Sequence, residues 1–271
     1  MSLPTPAADH TAVVTGASSG IGREIARRLA QRGHGLTLVA RREERLRELA
    51  GELSAAHGVR VETGPADLTD QAAREGVLTT VADRGLTVDV LVNAAGLSTV
   101  GPVHRNDPAD ELAMIRTDVE AVAHLCSLVL PGMVERGAGA VLNVASTAAF
   151  QPMPGQAGYA ACKAFVVAYS QAVRGELRGT GVTVTALCPG PVDTEFAATA
   201  GFEPAEAEAA LPRFMWMPAG EVAEAGIEGL ERGRAIVVPG LANKASALGG
   251  RFAPRSLLVP IVARQHPGLR R

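Results

Sequence analysis

A serine, a tyrosine and a lysine lie at spacings that suit proton transfer. Ser146 follows the apolar run GAVLNVA, Tyr159 comes thirteen residues later, and Lys163 four beyond that. Residues four apart on a helix share one face, so the ammonium of Lys163 comes beside the phenol of Tyr159. A free phenol titrates near ~10, too high for ready proton exchange at neutral pH. A neighbouring cation favours the phenolate and lowers that value. Tyrosine then serves as a general acid/base while a serine hydroxyl holds the reacting oxygen. Tyr-x-x-x-Lys alone is ordinary helix packing, so the reading needs a second signal.

That signal is the glycine turn TGASSGIG at 15–22. Gly16, Gly20 and Gly22 follow an apolar run and open a helical one. A tight strand-to-helix turn needs residues without Cβ, and so does close approach of backbone to a pyrophosphate. The helix N-terminus then aims its amides and its dipole at the anion. A dinucleotide is the expected ligand. The second strand ends LVA-RRE, with Ala40, Arg41 and Arg42 where an NAD site would carry a ribose-binding acid. Guanidinium groups bind a 2′-phosphate that a carboxylate would repel. NADP(H) is therefore expected; the bland alternative is an exposed basic start to the second helix.

The elements that must position these residues are legible as periodicity. Strand candidates are 11–15, 36–40, 59–63, 88–93, 139–145, 182–188 and 235–239, nearly continuous in Val, Leu, Ile and Ala. Continuous apolar strands belong to a parallel sheet covered on both faces. Helical patterns at 23–32, 43–56, 109–136 and 157–169 separate them. The expected fold is α/β, a doubly wound parallel sheet of about seven strands with helices on both faces. The absence of linkers and repeats points to one domain, 1–271. The stretches 119–130 and 157–169 are apolar or small on nearly all faces, so each must be buried on more than one side. Another subunit, in a dimer or tetramer, is expected to cover them; the alternative cover is the C-terminal segment.

Composition bounds the rest. The 271 residues carry a net charge of −2, no global footprint for nucleic acid. Cys126, Cys162 and Cys188 make no disulfide framework and no metal cluster. Cys162, beside Lys163, reads either as a redox-sensitive thiol or as a small buried residue. No signal peptide opens the chain, and no apolar run approaches the ~20 residues of a membrane span. A cytoplasmic location is expected.

Together these residues resemble the short-chain dehydrogenase/reductases over about residues 11–240. TGASSGIG matches the family's cofactor turn, and Asp67-Leu68 its adenine-contacting pair. Asn93-Ala94-Ala95-Gly96 looks like its Asn-Asn-Ala-Gly, with the second asparagine replaced. Pro189-Gly190-Pro191-Val192-Asp193-Thr194 looks like its Pro-Gly segment, whose Val and Thr contact the nicotinamide end. The resemblance implies a single-domain Rossmann fold and NADP(H) held by Gly16, Ser18, Ser19, Gly20, Ile21, Gly22, Arg41, Arg42, Asp67, Leu68, Asn93, Ala94, Ala95, Gly96, Tyr159, Lys163, Pro189, Gly190, Val192 and Thr194. Tyr159 would be the acid/base and Ser146 the holder of a carbonyl or hydroxyl. Lys163 would bind the nicotinamide ribose and depress the phenol. Where relatives carry an asparagine that positions a water of a proton relay, this chain has Asp118. An ionised Asp accepts hydrogen bonds but donates none, so the resemblance implies an altered relay; otherwise Asp118 is an ordinary helix residue.

Residues 195–218 correspond to the family's mobile substrate lid and hold Phe196, Phe202, Phe214, Met215, Trp216 and Met217. They favour an apolar substrate, or else they plug the lid onto the core. After Glu231 no acid remains, while the basic extension 241–271 contains the apolar run LLVPIVA. That extension docks on the acidic stretch 203–231 or another subunit, touches a membrane surface weakly, or frays. The activity expected is interconversion of a carbonyl and a secondary alcohol, chiefly as a reductase of an apolar ketone or aldehyde. The rival is an NADP-binding regulatory or scaffold protein with little turnover, supported only by Asp118.

Overall fold

Parallel pairing decides where the apolar runs sit. A computed structural model describes residues 3–202 and 211–269 of the chain. The strands are β1 (His10–Thr15), β2 (Leu36–Ala40), β3 (Val61–Pro65), β4 (Thr87–Asn93), β5 (Gly139–Val144), β6 (Val182–Leu187) and β7 (Ile236–Val237). They form one sheet in the order β3-β2-β1-β4-β5-β6-β7, and all six pairings are parallel. The doubly wound expectation holds. The strand order reverses between β1 and β4, so a crevice opens at their carboxyl ends, where such sheets bind ligands.

The helices are α1 (Gly20–Gln31), α2 (Glu43–His57), α3 (Gln71–Asp83), α4 (Pro108–Ile115), α5 (Ala121–Arg136), α6 (Ala157–Glu176), the short α7 (Phe196–Thr199), α8 (Ala219–Glu231), α9 (Leu241–Phe252) and α10 (Arg255–Gln265). Strand side chains alternate between faces. Val14, Leu38, Val92 and Leu142 pack with α1, α2 and α8. Val13, Val39, Leu91 and Val141 pack with α3, α5 and α6. Local chemistry sets the helix ends: Asp70 and Asp107 cap α3 and α4 through the amides of Ala72 and Ala109. Gly58 and Gly137, at φ 65° and 67°, close α2 and α5 in the left-handed region.

Two strands depart from the sequence reading by more than one residue at an end. β3 lies two residues later than expected because its register follows β2, Leu36 against Val61 through Ala40 against Pro65. The carbonyl of Val59 instead receives the Ser54 hydroxyl at the exit of α2. β7 is short because only Ile236 and Val237 meet partners on β6. The long helix expected over 109–136 is present. α4 and α5 join through a π turn, Arg116–Glu120, into a helix of 29 residues, long and apolar enough to cross a membrane by length and composition. Its α5 stripe, Leu125, Cys126, Val129 and Met133, is packed on the sheet instead.

At the amino edge of the sheet, away from the crevice, Asp89 is 2% exposed and lies 3.5 Å from His10 Nδ1. Burial pushes its carboxyl up to about 6. The folded value stands above the unfolded one, so protonation favours the native state. Stability from this group is complete below the unfolded value of ~4 and is lost as pH rises through the folded value. Replacing Asp89 by Asn is expected to remove that loss and add about 2 kcal/mol at neutral pH. Urea midpoints measured across this range check it; a variant no more stable than wild type at neutral pH overturns it.

Candidate active site

A cleft of about 560 Å³ runs along the carboxyl ends of the strands. One end is built by the glycine turn. Gly16 and Gly20 have φ of +67° and +55°. A Cβ on Gly16 would lie 2.8 Å from the carbonyl of Ala94, and one on Gly22 would lie 2.5 Å from that of Gly16. The loop thus closes against Ala94-Ala95 and presents the N-terminus of the twelve-residue α1 to the cleft. Amides and empty volume there fit a pyrophosphate.

Beside this turn the Arg42 guanidinium donates to Ser18 Oγ at 3.1 Å and to Glu195 at 2.9 Å. Arg45, which the sequence reading missed, donates to the same Glu195 at 2.8 Å. The two arginines hold the Glu195 carboxyl below its ordinary value. Asp67 accepts from the amide and hydroxyl of Thr69, both at 2.9 Å, and the Thr69 amide depresses its carboxyl most. The carbonyl of Leu68 is held at 2.7 Å by the buried Arg74, which also pairs with Glu120 and with His124.

Further along the cleft lie Ser146, Tyr159 and Lys163. Ser146 lies two residues beyond β5 and caps a short turn, its Oγ accepting from the Ala148 amide at 3.1 Å. Tyr159 and Lys163 share a face in the first turns of α6, with Nζ 5.6 Å from the ring centroid. Lys163 donates to the Val144 carbonyl at 3.2 Å and pairs at 2.8 Å with Asp118 Oδ2. Asp118 is wholly buried. It sits in the π turn, a feature that recurs at functional sites, and its Oδ1 accepts from the Leu97 amide at 2.8 Å. Gly96 covers the pair: a Cβ there would come within 3.2 Å of both Asp118 Oδ2 and Lys163 Nζ.

The electrostatics correct one expectation. Burial raises the Tyr159 phenol above its ordinary value; Lys163 and Ser146 pull against it without prevailing, and Asp118 adds to the rise. Burial alone would lower Lys163, but Asp118 and Tyr159 more than offset it and keep the ammonium. Burial raises the Asp118 carboxyl as well, against Lys163 and the Leu97 amide. Lys163 still pulls the phenol down, as expected, but burial of the ring outweighs it and the Asp118 carboxylate adds to the rise. At neutral pH Tyr159 holds its proton.

Of the residues expected in the site, Asn93 and Asp118 do not line the cleft. Asn93 turns into the core, donating to Asn143 at 2.8 Å, which donates to Ser170 at 2.9 Å. Burial pushes the Cys162 thiol up to about 11, which fits the buried-residue reading. Phe196, Phe202, Met215 and Trp216 line the cleft, whereas Phe214 is 77% exposed and Met217 bridges to Val192. Residues 203–210 of the expected lid, with three of its glutamates, lie outside the described residues.

Sequence reasoning missed the far wall. Gln156, Val262, Gln265, His266 and Pro267 also line the cleft. The described glutamates of the acidic stretch pair elsewhere: Glu224 and Glu231 bind Arg32 of α1, and Glu228 binds Arg232. The extension meets the stretch through Asn243, which donates to the Met215 carbonyl at 3.1 Å, and it also docks on the loops bordering the cleft. Arg255 reaches the Phe150 carbonyl at 3.3 Å, and His266 reaches Gln156 at 3.2 Å.

Residues 10–203 match the family model described as short chain dehydrogenase, and the chain belongs to that family. A sulfoacetaldehyde reductase of Chromohalobacter salexigens is 44% identical over 186 residues, which are 68% of this chain and 73% of the relative. The NADP-dependent 3-hydroxy acid dehydrogenase YdfG of Escherichia coli is 40% identical over 186 residues, again 68% and 73%. Among solved structures, a short-chain dehydrogenase from Sphingobium yanoikuyae in complex with NADPH is 34% identical, with a TM-score of 0.79 over 92% of this chain and 95% of that one.

Removing the Asp118 charge releases Lys163 toward the phenol. In Asp118→Asn the Tyr159 phenol is expected to titrate at lower pH than in wild type. Ultraviolet difference titration against Tyr159→Phe isolates it, since the other tyrosine, Tyr169, is pushed up to about 12 by burial. An unmoved titration means that Asp118 is electrostatically irrelevant to Tyr159.

Proposed function

We propose that this chain is an NADP(H)-dependent oxidoreductase that interconverts a carbonyl and a secondary alcohol, acting chiefly as a carbonyl reductase. The observation that carries the reading is one cleft lined by a phosphate-sized glycine cradle and by Ser146, Tyr159 and Lys163. When bound, the nicotinamide supplies a hydride to the carbonyl carbon. The turn amides from Gly16 to Gly22 take the pyrophosphate. Arg42 and Arg45 take the 2′-phosphate, with Arg41 beside them, while Asp67 and Leu68 border the adenine. Gly190, Val192 and Thr194 flank the nicotinamide end.

Ser146 holds the carbonyl oxygen, and Tyr159, protonated at neutral pH, delivers the proton to it. That resting state suits reduction. Lys163 holds the ribose and steadies the developing phenolate, while Asp118 acts as a positioning residue that keeps the ammonium in place. The catalytic residues argue against the scaffold reading, because a binding module needs no acid beside a hydroxyl. The solvent-facing apolar residues of α4 and α5, Leu112, Ile115, Leu128 and Val134, support a homo-oligomer.

Three outcomes are expected. NADPH should bind at least about tenfold tighter than NADH, a difference of about 1.4 kcal/mol, and Arg42→Ala should shrink that ratio. Fluorescence titration measures both, and equal constants in the wild type would sink the phosphate assignment. Glu195 occupies the same guanidinium groups that a 2′-phosphate needs, so Glu195→Gln should tighten NADPH several-fold and leave NADH unchanged. Tyr159→Phe should cut turnover by ~10²–10⁴ with little change in NADPH affinity. A fully active variant would remove Tyr159 from the mechanism.

A further inference from the structure

The far wall of the cleft is built from the chain's own C-terminal segment, and it is uncharged. His266 is 7% exposed, as is Gln156. Gly268 donates its amide to His266 Nδ1 at 3.2 Å, so the ring proton sits on Nε2. That nitrogen lies 3.2 Å from Gln156 Oε1 and donates to it, and Gln156 Nε2 donates to Ser98 Oγ at 2.9 Å. The contacts orient the glutamine amide and keep the imidazole neutral, since its second nitrogen already accepts a hydrogen bond. Burial also lowers His266 below its ordinary value. Backbone shape enforces the fit. A Cβ on Gly155, at φ +93°, would stand 2.2 Å from His266 Nδ1, and one on Gly268 would stand 2.7 Å from Val100 Cγ1.

Gln156 is the N-cap of α6 and Tyr159 lies in that helix's first turn, so this wall adjoins the reacting centre. The same cleft is lined by Met153, Phe202, Trp216 and Val262, and Phe202 faces His266 with ring centroids 6.0 Å apart. Among the described residues, the charged groups lining the cleft are Arg41, Arg42, Asp67 and Glu195 at the nucleotide end and the paired Lys163. An anionic group placed here loses its water, and among the described residues lining this end of the cleft the one cation is Lys163, already paired with Asp118.

We propose that Gln156, clamped between Ser98 and His266, is a specificity-determining residue. It restricts the substrate to uncharged carbonyl compounds with an apolar body, unlike the sulfonate and carboxylate substrates that the names of the two curated relatives describe. This rests on the carbonyl-reductase reading above. The test compares acetophenone with 4-acetylbenzoate, a pair differing by one carboxylate. Wild type should favour the neutral ketone at least tenfold in kcat/KM. Gln156→Arg should reduce that preference at least tenfold, and Gln156→Glu, which can still accept from His266, should increase it.

Trp216, the chain's single tryptophan, lines the cleft and reports binding without turnover. Its quenching should show the same order of affinities, again with at least a tenfold gap. If neither ketone is turned over, the catalytic reading fails while the quenching order still decides the substrate class. Equal or stronger binding of the benzoate by wild type overturns the proposal. So do Gln156 variants that change both ketones by the same factor, which marks a merely structural role.

Discussion

The buried pair between Asp118 and Lys163 joins three parts of the molecule that are distant in sequence. Asp118 sits where the long helix loosens into a π turn, Lys163 stands in the first turns of α6, and the Leu97 amide closes the contact from the loop after β4. Two charges taken out of water need each other and every available hydrogen bond, so breaking one partner strands the other. That constraint dictates what surrounds the pair. Gly96 leaves the pair room, because a Cβ there would stand 3.2 Å from both charged groups, closer than ordinary contact. Tyr159 must share a helix face with Lys163, and its phenol feels the carboxylate as well as the ammonium.

Around the pair the sheet supplies rigidity by spending polar groups internally. Asn93 ends β4 where the crevice begins, yet its amide joins Asn143 and Ser170 across the sheet face. Buried amides without partners are costly, so this chain of donors ties β4, β5 and α6 together beneath the cleft. Arg74 does a comparable task under the nucleotide end, fixing the Leu68 carbonyl from a fully buried position. Both networks place backbone atoms along the cleft without entering it.

The nucleotide end and the substrate end are coupled through one short segment. Glu195 binds the arginines beside the glycine turn, while the adjacent Phe196 packs against Tyr159 with ring centroids 5.8 Å apart. A group that engages Arg42 and Arg45 therefore acts on the stem of the segment facing the reacting centre. On the other side the C-terminal helix and turn close the cleft, with Phe202 and His266 facing each other at 6.0 Å.

Periodicity and motif spacing by themselves determined the parallel sheet, the glycine turn, the arginines after β2 and the Ser146, Tyr159 and Lys163 set. Each is local: a run of β-branched residues, a helix repeat, or glycines whose backbone angles no other residue adopts cheaply. Strand ends were legible only within two residues, because β3 and β7 stop where their neighbours stop. Arg45 lay one helix turn beyond Arg41, a visible signal left unread. Tertiary structure alone decided the direction of the Tyr159 shift, since that depends on how deeply the ring is buried and on a carboxylate forty-one residues upstream. It alone turned Asn93 inward and brought His266 to Gln156 across 110 residues. Such contacts are set by how packed layers meet, and no local pattern of residue types encodes the meeting.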